Sequence, residues 1–313
     1  MSAASVVPED KSGRLARALA SGRRDGRPLL IPFVTFGYPA LNATVPLVTA
    51  IAAAGADIIE IGVPFSDPLA DGPTIQRASE RALANGASLA RTLDAVRALR
   101  AQPSTRELPL VLMGYCNPIL RYGLSSFLDD AIAAGVDGLI VPDLPPEEAS
   151  EYREGCLQRG LAAVFLVAPN APDDRIRLVD ELSTHFSYCV SVTGVTGARG
   201  DVHERTVDFL RRVRRLAQKP FVVGFGIKAP AHVRALGPHA DGVVVGSALL
   251  EVIDGAWDRR PDAGREEAND FGACAAAAGE MIAALRDAAA ELSGDVNTAS
   301  SDQGQPAPPA RTS

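Results

Sequence analysis

The chain is short of positive charge, and almost none of what it has is lysine. Its 313 residues carry 31 Lys and Arg against 38 Asp and Glu, a formal net charge of -7, and the only lysines are Lys11, Lys219 and Lys228. That balance argues against a nucleic-acid binder, which would present a basic surface. Cysteines are few and scattered: Cys116, Cys156, Cys189 and Cys274 form no CxxC pair and read as reduced, mostly buried thiols of a cytosolic protein. The histidines His185, His203, His232 and His239 lack metal-ligand spacing, so no metal site is expected. No apolar run is long enough to span a bilayer, and the N-terminus has no signal-peptide core. A cytoplasmic protein is expected. No GxGxxG follows the first apolar run, which removes the usual dinucleotide-binding signature.

What the chain does contain is an alternation of short apolar runs and helical patterns. The runs are LLIPFVTF (29–36), DIIEIG (57–62), LPLVLM (108–113), GLIVP (138–142), AAVFLV (162–167), SYCVSV (187–192), PFVVGF (220–225) and DGVVVG (241–246). They are continuous rather than alternating, the pattern of parallel strands buried on both faces. Between them lie stretches such as SSFLDDAIAAG and ERTVDFLRRVRRLAQ. In the second, Val207, Leu210 and Val213 recur at helical spacing, and Arg211, Arg212, Arg214 and Arg215 form a solvated face. Gly55, Gly86, Gly135, Gly160 and Gly237 stand where helix C-caps belong.

Eight strand–helix units predict an α/β fold, a (β/α)8 TIM barrel over residues 1–294 with an N-terminal extension. An open doubly wound sheet is the rival, but it has no need of eight units. Two segments stand outside the scheme. Residues 254–272 read as a polar insertion before the last helix, and they hold the only Trp. Residues 295–313 are rich in Ser, Pro, Gln and Thr and are expected to form a disordered tail.

A barrel carries its chemistry at the carboxyl ends of its strands. There the stretch EIGVPFSDPLADGPTIQRA (60–78) sets three carboxylates among prolines and glycines. Glu60 sits within the second strand, where it is either a buried structural acid or an acid/base group with a raised pKa. Asp71, in an ADG turn, suits either a structural or a functional role. Asp67, in SDP, reads as a turn or cap residue. Across the barrel, VTGVTGARG (192–200), GFGIK (224–228) and VGSA (245–248) leave the last three strands. Their glycines and the helix start at the third suit a phosphate. Lys228 is the only lysine near a strand end and lies beside that phosphate site, so a Schiff-base aldolase is disfavoured. The residues point to a barrel enzyme acting on a phosphorylated substrate by general acid/base catalysis.

The motifs IPFVTFGYP, EIGVPFSDPLADGPTIQRA, LMGYCNP, VPDLPPEE, VSVTGVTGAR, GFGIKAP and GSALL resemble, in order, those of the tryptophan synthase alpha subunit family. The resemblance covers residues 13–253 and the final helix. It implies retro-aldol cleavage of indole-3-glycerol phosphate to indole and glyceraldehyde 3-phosphate, without a cofactor in this chain. It gives Glu60 as the general acid/base and Asp71 as acceptor of the indole N–H. Tyr188 matches an active-site tyrosine. Gly197, Gly226, Ile227, Gly246 and Ser247 match phosphate-site positions, and Phe33, Leu112, Ile140 and Leu166 match the apolar pocket. Loops after strands two and six would close together, with Thr196 meeting Asp71. Val192 stands where some members carry an Arg, so a latch made by that Arg is not expected. The implied partner is a pyridoxal-phosphate-dependent beta subunit in an alpha2-beta2 tetramer. A stand-alone lyase, a regulatory subunit and a phosphosugar isomerase are the competing readings.

Overall fold

Each predicted strand forms. In the computed structural model, which describes residues 13–190, 199–224, 226–259 and 270–293, they are β1 (Leu29–Thr35), β2 (Ile59–Gly62), β3 (Leu110–Met113), β4 (Gly138–Ile140), β5 (Ala162–Val164), β6 (Leu166–Val167), β7 (Ser187–Val190), β8 (Phe221–Gly224) and β9 (Gly242–Val245). They make one nine-stranded sheet in the order β5-β4-β3-β2-β1-β9-β8-β7-β6, and the paired strands are parallel. The two ends of that order, β5 and β6, are halves of the single run 162–167. They part at Phe165, whose N–H donates to Ser183 Oγ at 3.1 Å instead of to a strand. The Phe165 carbonyl still accepts from the Tyr188 N–H at 3.0 Å. The sheet thus closes on itself through the chain, and the fold is the predicted (β/α)8 barrel.

The helices are α1 (Gly13–Asp25), α2 (Thr44–Ala53), α3 (Pro73–Ala84), α4 (Leu89–Ala101), α5 (Cys116–Tyr122), α6 (Leu124–Ala134), α7 (Ser150–Arg159), α8 (Asp173–Leu182), α9 (Arg199–Leu216), α10 (Pro230–Leu236), α11 (Ser247–Asp258) and α12 (Gly272–Glu291). Gly135 and Gly160 end α6 and α7 in the left-handed conformation that only glycine adopts without strain. Gly237 does not. It is the C-cap of α10 as predicted, but its φ of -54° is right-handed, and it leads straight into a short 3-10 turn. No helix among the described residues is long and apolar enough to cross a membrane.

The floor of the barrel is held by a repeated device. Asp57, Asp137 and Asp241 each stand just before a strand. Each donates its N–H to the carbonyl of a residue on the neighbouring strand, Leu30, Leu110 and Phe221 respectively, at 2.9 Å. Each carboxylate then accepts the N–H of that same residue, at 2.8, 2.8 and 3.0 Å. Arginines complete the clasps. Arg27 and Arg286 meet Asp57, Arg14 and Arg100 meet Asp137, and Arg214 meets Asp241. Such reciprocal pairing fixes strand register at the end opposite the chemistry. Arg14 belongs to α1, whose Leu15 and Leu19 are buried. Helix α1 is therefore part of the floor.

Residues 254–258, read from sequence as the start of the polar insertion, instead complete α11. Ile253 and Ala256 are buried, and Trp257 stacks on Phe271 with ring centroids 5.9 Å apart. Those contacts outweigh the polarity of the segment. The rest of the insertion, apart from residues 259 and 270–272, and the tail at 295–313 lie outside the described residues.

Candidate active site

Strand register decides which side chains share the barrel interior. Phe33, Glu60, Val111 and Gly138 stand at one level across β1 to β4. Two residues further on, Thr35, Gly62, Met113 and Ile140 form the next level on the same face. Glu60 is 1% exposed, and neither of its carboxylate oxygens has a hydrogen-bond partner among the described residues. Loss of water pushes its pKa up to about 8, helped by the charge of Asp71 and opposed by the nearby Tyr188 hydroxyl. Glu60 therefore holds its proton at neutral pH. That is the environment of a proton donor.

Asp71 is set by the loop that leaves β2. Its N–H donates to the Pro68 carbonyl at 3.0 Å. The Gln76 side chain, one turn into α3, donates to the Asp71 carbonyl at 3.0 Å. Gly72 is the N-cap and Pro73 opens the helix, so Asp71 is fixed to a rigid element. Burial raises its pKa to about 6, while a hydrogen bond from Tyr115 favours the ionised form. Asp71 is thus a carboxylate where Glu60 is an acid. Asp67 is exposed and takes the Ser66 hydroxyl at 2.6 Å, as a turn residue does.

Tyr115 has no role in the sequence reading, though it lies in the quoted LMGYCNP. It follows β3, its hydroxyl accepts the Ala70 N–H at 3.1 Å, and its ring stacks on Phe65 with centroids 5.1 Å apart. It therefore ties the Asp71 loop to the third strand. Its position directly beyond a strand end was the available signal.

The predicted pocket residues do not all converge. Phe33 and Ile140 share the Glu60 face, and the Phe33 ring lies over Gly62, where an added Cβ would come within 2.5 Å of it. Leu166 stands level with Tyr188, whose hydroxyl interacts with Glu60 and lies over Gly224. Leu112 is out of phase. It pairs with Ile61 and Leu139 and lines a small cavity with Leu89, Ile119 and Phe127 from the helical layer, which Ile140 also borders. Met113, half-buried, occupies the position toward the mouth that was expected of Leu112.

On the other side of β1, Gly246 follows β9 and caps α11, which opens at Ser247. Gly226 has φ +57° and open space above its Cα, and Ile227 beside it is buried. Backbone N–H groups at such a junction, with a helix start behind them, suit an anion. Lys228 is exposed, and its N–H donates to His232 Nδ1 at 3.0 Å. Thr196, Gly197 and Val192 lie outside the described residues.

A brace joins the two halves of the site. Arg81 of α3 lies 5.8 Å from the Tyr38 ring centroid and 5.5 Å from that of Trp257 on α11. Its Nη1 is 3.6 Å from Asp254, which also accepts the Tyr38 hydroxyl. Thr74 donates to Glu251 at 3.2 Å. The helix that follows Asp71 is thereby fastened to the helix that opens at Ser247.

Residues 19–281 match the family model described as tryptophan synthase alpha chain. The tryptophan synthase alpha chain of Roseiflexus castenholzii is 51% identical over 241 residues, covering 77% of this chain and 92% of that protein. That of Xanthomonas axonopodis pv. citri is 49% identical over 257 residues, covering 82% and 95%. Among solved structures, tryptophan synthase subunit alpha from Legionella pneumophila superposes with a TM-score of 0.79 at 33% identity, covering 89% of this chain and 98% of that one. Tryptophan synthase from M. tuberculosis in an open form gives 0.73 at 36% identity, covering 87% and 98%. With the barrel, the buried Glu60 and the matching family in agreement, the chain belongs to the tryptophan synthase alpha chain family.

Proposed function

We infer that this barrel performs the alpha reaction, cleaving indole-3-glycerol phosphate to indole and glyceraldehyde 3-phosphate, with Glu60 and Asp71 as the reacting carboxylates. The observation that carries the assignment is Glu60, a carboxyl buried inside the barrel with neither oxygen hydrogen-bonded among the described residues; burial raises its pKa, and the charge of Asp71 adds to that rise. Glu60 delivers its proton to C3 of the indole ring, which makes a cationic indoleninium. Asp71 accepts the hydrogen bond of the indole N–H and stabilises that charge. The ionised Glu60 then takes the proton of the hydroxyl next to the ring. The O–H electrons become the new carbonyl, and the broken C–C pair restores the aromatic ring. The junctions at Gly226–Ile227 and Gly246–Ser247, with Gly197, hold the phosphate. Phe33, Met113, Ile140 and Leu166 enclose the ring, and Tyr188 orients Glu60. The direct test is indole release from indole-3-glycerol phosphate by the purified chain. A protein that binds the substrate but releases no indole would overturn the assignment.

Asp71→Asn is expected to lower kcat about 10- to 100-fold, the worth of one charge-assisted hydrogen bond. Asp67→Asn should leave it near the wild-type value. Equal losses at unchanged stability would show that the two aspartates have been given the wrong roles.

Indole passes from this chain to a beta subunit, and we place the pair in an alpha2-beta2 tetramer in the cytoplasm. Cys116, Cys156, Cys189 and Cys274 form no disulfide, which suits a reducing compartment. Leu69, at the tip of the loop that carries Asp71, is 92% exposed. A partner that covers this loop would favour its ordered state by differential affinity. Saturating beta subunit should therefore raise the lyase rate, and Leu69→Asp should reduce that activation while sparing the rate of the isolated chain. Truncation after Gly294 should leave activation intact. No activation of the wild-type chain would favour a stand-alone lyase.

A further inference from the structure

Among the described residues, the buried side-chain oxygens with no hydrogen-bond partner belong to Thr35, Glu60 and Ser187. Native proteins pair almost all such groups, so each needs an explanation. For Glu60 the explanation is the chemistry above. Ser187 is adjacent in sequence to Tyr188 and therefore faces the opposite side of the sheet, level with Phe221. Thr35 differs from Ser187. It is 2% exposed, it ends β1, and it stands level with Gly62. Alternation gives it the same inward face as Phe33 and Glu60, one step nearer the carboxyl end.

Sheet order makes that position informative. β1 lies between β2 and β9. β2 bears Glu60, and β9 leads directly into Gly246 and Ser247. A substrate with its breaking bond at Glu60 and its phosphate at Gly246 must cross the end of β1. Near that end β1 presents Phe33 and Thr35 to the interior, and only Thr35 can form a hydrogen bond. A cross-strand Cβ at Gly246 would sit 3.6 Å from Phe33, so the crossing is short.

We propose that Thr35 is a substrate-binding residue whose hydroxyl bonds the middle hydroxyl of the glycerol chain, the one between the bond that breaks and the phosphate. The proposal rests on the reading of Glu60 and the phosphate junction given above. A threonine hydroxyl both donates and accepts, so it can serve a substrate hydroxyl in either sense. The middle hydroxyl takes no part in the bond changes. Its recognition therefore acts on orientation, and it discriminates against chains that lack it.

The test compares Thr35→Val, which keeps the shape and removes the hydroxyl, with Thr35→Ser, which keeps the hydroxyl. For indole-3-glycerol phosphate, Thr35→Val should lose roughly tenfold in kcat/KM, the scale of one neutral hydrogen bond, and Thr35→Ser should largely retain it. Indole-3-propanol phosphate has no chain hydroxyl, so its inhibition constant should be the same for wild type and Thr35→Val. That constant also reports an intact site. An equal loss for both ligands would make Thr35 structural, and no loss for either would remove it from the substrate's path. A shift in the alkaline limb of the pH profile would assign the hydroxyl to Glu60 instead. Each of these three results overturns the proposal. A wild-type chain that releases no indole fails the lyase reading itself and removes the substrate on which the proposal depends.

Discussion

Glu60→Gln is expected to cut the lyase rate by about 10²- to 10⁴-fold, the usual contribution of a positioned acid/base. The amide matches the carboxyl in shape and can neither give nor take the proton at C3. Binding of indole-3-propanol phosphate should survive, because the phosphate junction on β9 and the apolar wall are untouched. The pH profile offers a second reading. Glu60 must be protonated to begin the reaction, so wild-type kcat/KM should fall as pH rises through about 8. Asp71 must be ionised, so it should also fall as pH drops below about 6. The two carboxyls interact, so the limbs belong to the pair. Single-turnover cleavage in Glu60→Gln at the wild-type rate would remove Glu60 from the chemistry.

Asp137→Ala should cost about 3–5 kcal/mol of stability, the penalty for breaking a buried ion pair from one side. The Asp137 side chain is 0% exposed and meets Arg14 at 2.9 Å and Arg100 at 2.5 Å. Its loss also strands the N–H of Leu110, the first residue of β3. Arg100 keeps carbonyl partners at Gly135, Thr105, Arg106 and Leu108, but these are neutral, so its guanidinium is left without a counter-ion. Chemical denaturation should show a lower midpoint. Where the variant is folded, kcat should change little, because the clasp lies at the end of the barrel away from Glu60. An unchanged midpoint would show that the floor does not depend on this clasp.

The barrel could be read in the sequence because its strands are continuous runs of Val, Ile, Leu and Phe separated by amphipathic stretches with glycine ends. Glu60 could be read because a carboxylate inside such a run is costly and calls for a use. The errors share one physical cause. LPLVLM is apolar throughout, so it has no alternation to say which residue faces the interior, and in the register it is Met113, not Leu112, that falls in phase with Glu60. The break at Phe165 depends on Ser183, whose side chain takes an N–H that a strand would have used. Tyr115 matters through a contact with a loop 45 positions earlier in the chain. Thr35 lies unmarked in IPFVTF, since a single hydroxyl in a strand is ordinary until its lack of a partner is seen. Each omission is a matter of which groups meet across the sheet, which local pattern does not encode.

The brace between α3 and α11 also gives the protein an optical property. Trp257 is the only tryptophan in the chain, and it contacts both the Arg81 guanidinium and the Phe271 ring. Intrinsic emission excited at the red edge therefore arises from one indole at the junction of the helix that fixes Asp71 and the helix that begins at Ser247. Glycerol 3-phosphate neither absorbs nor emits there. If the junction at Gly246 binds phosphate as proposed, its arrival is expected to register, without any label, as a change in the colour or anisotropy of that single fluorophore.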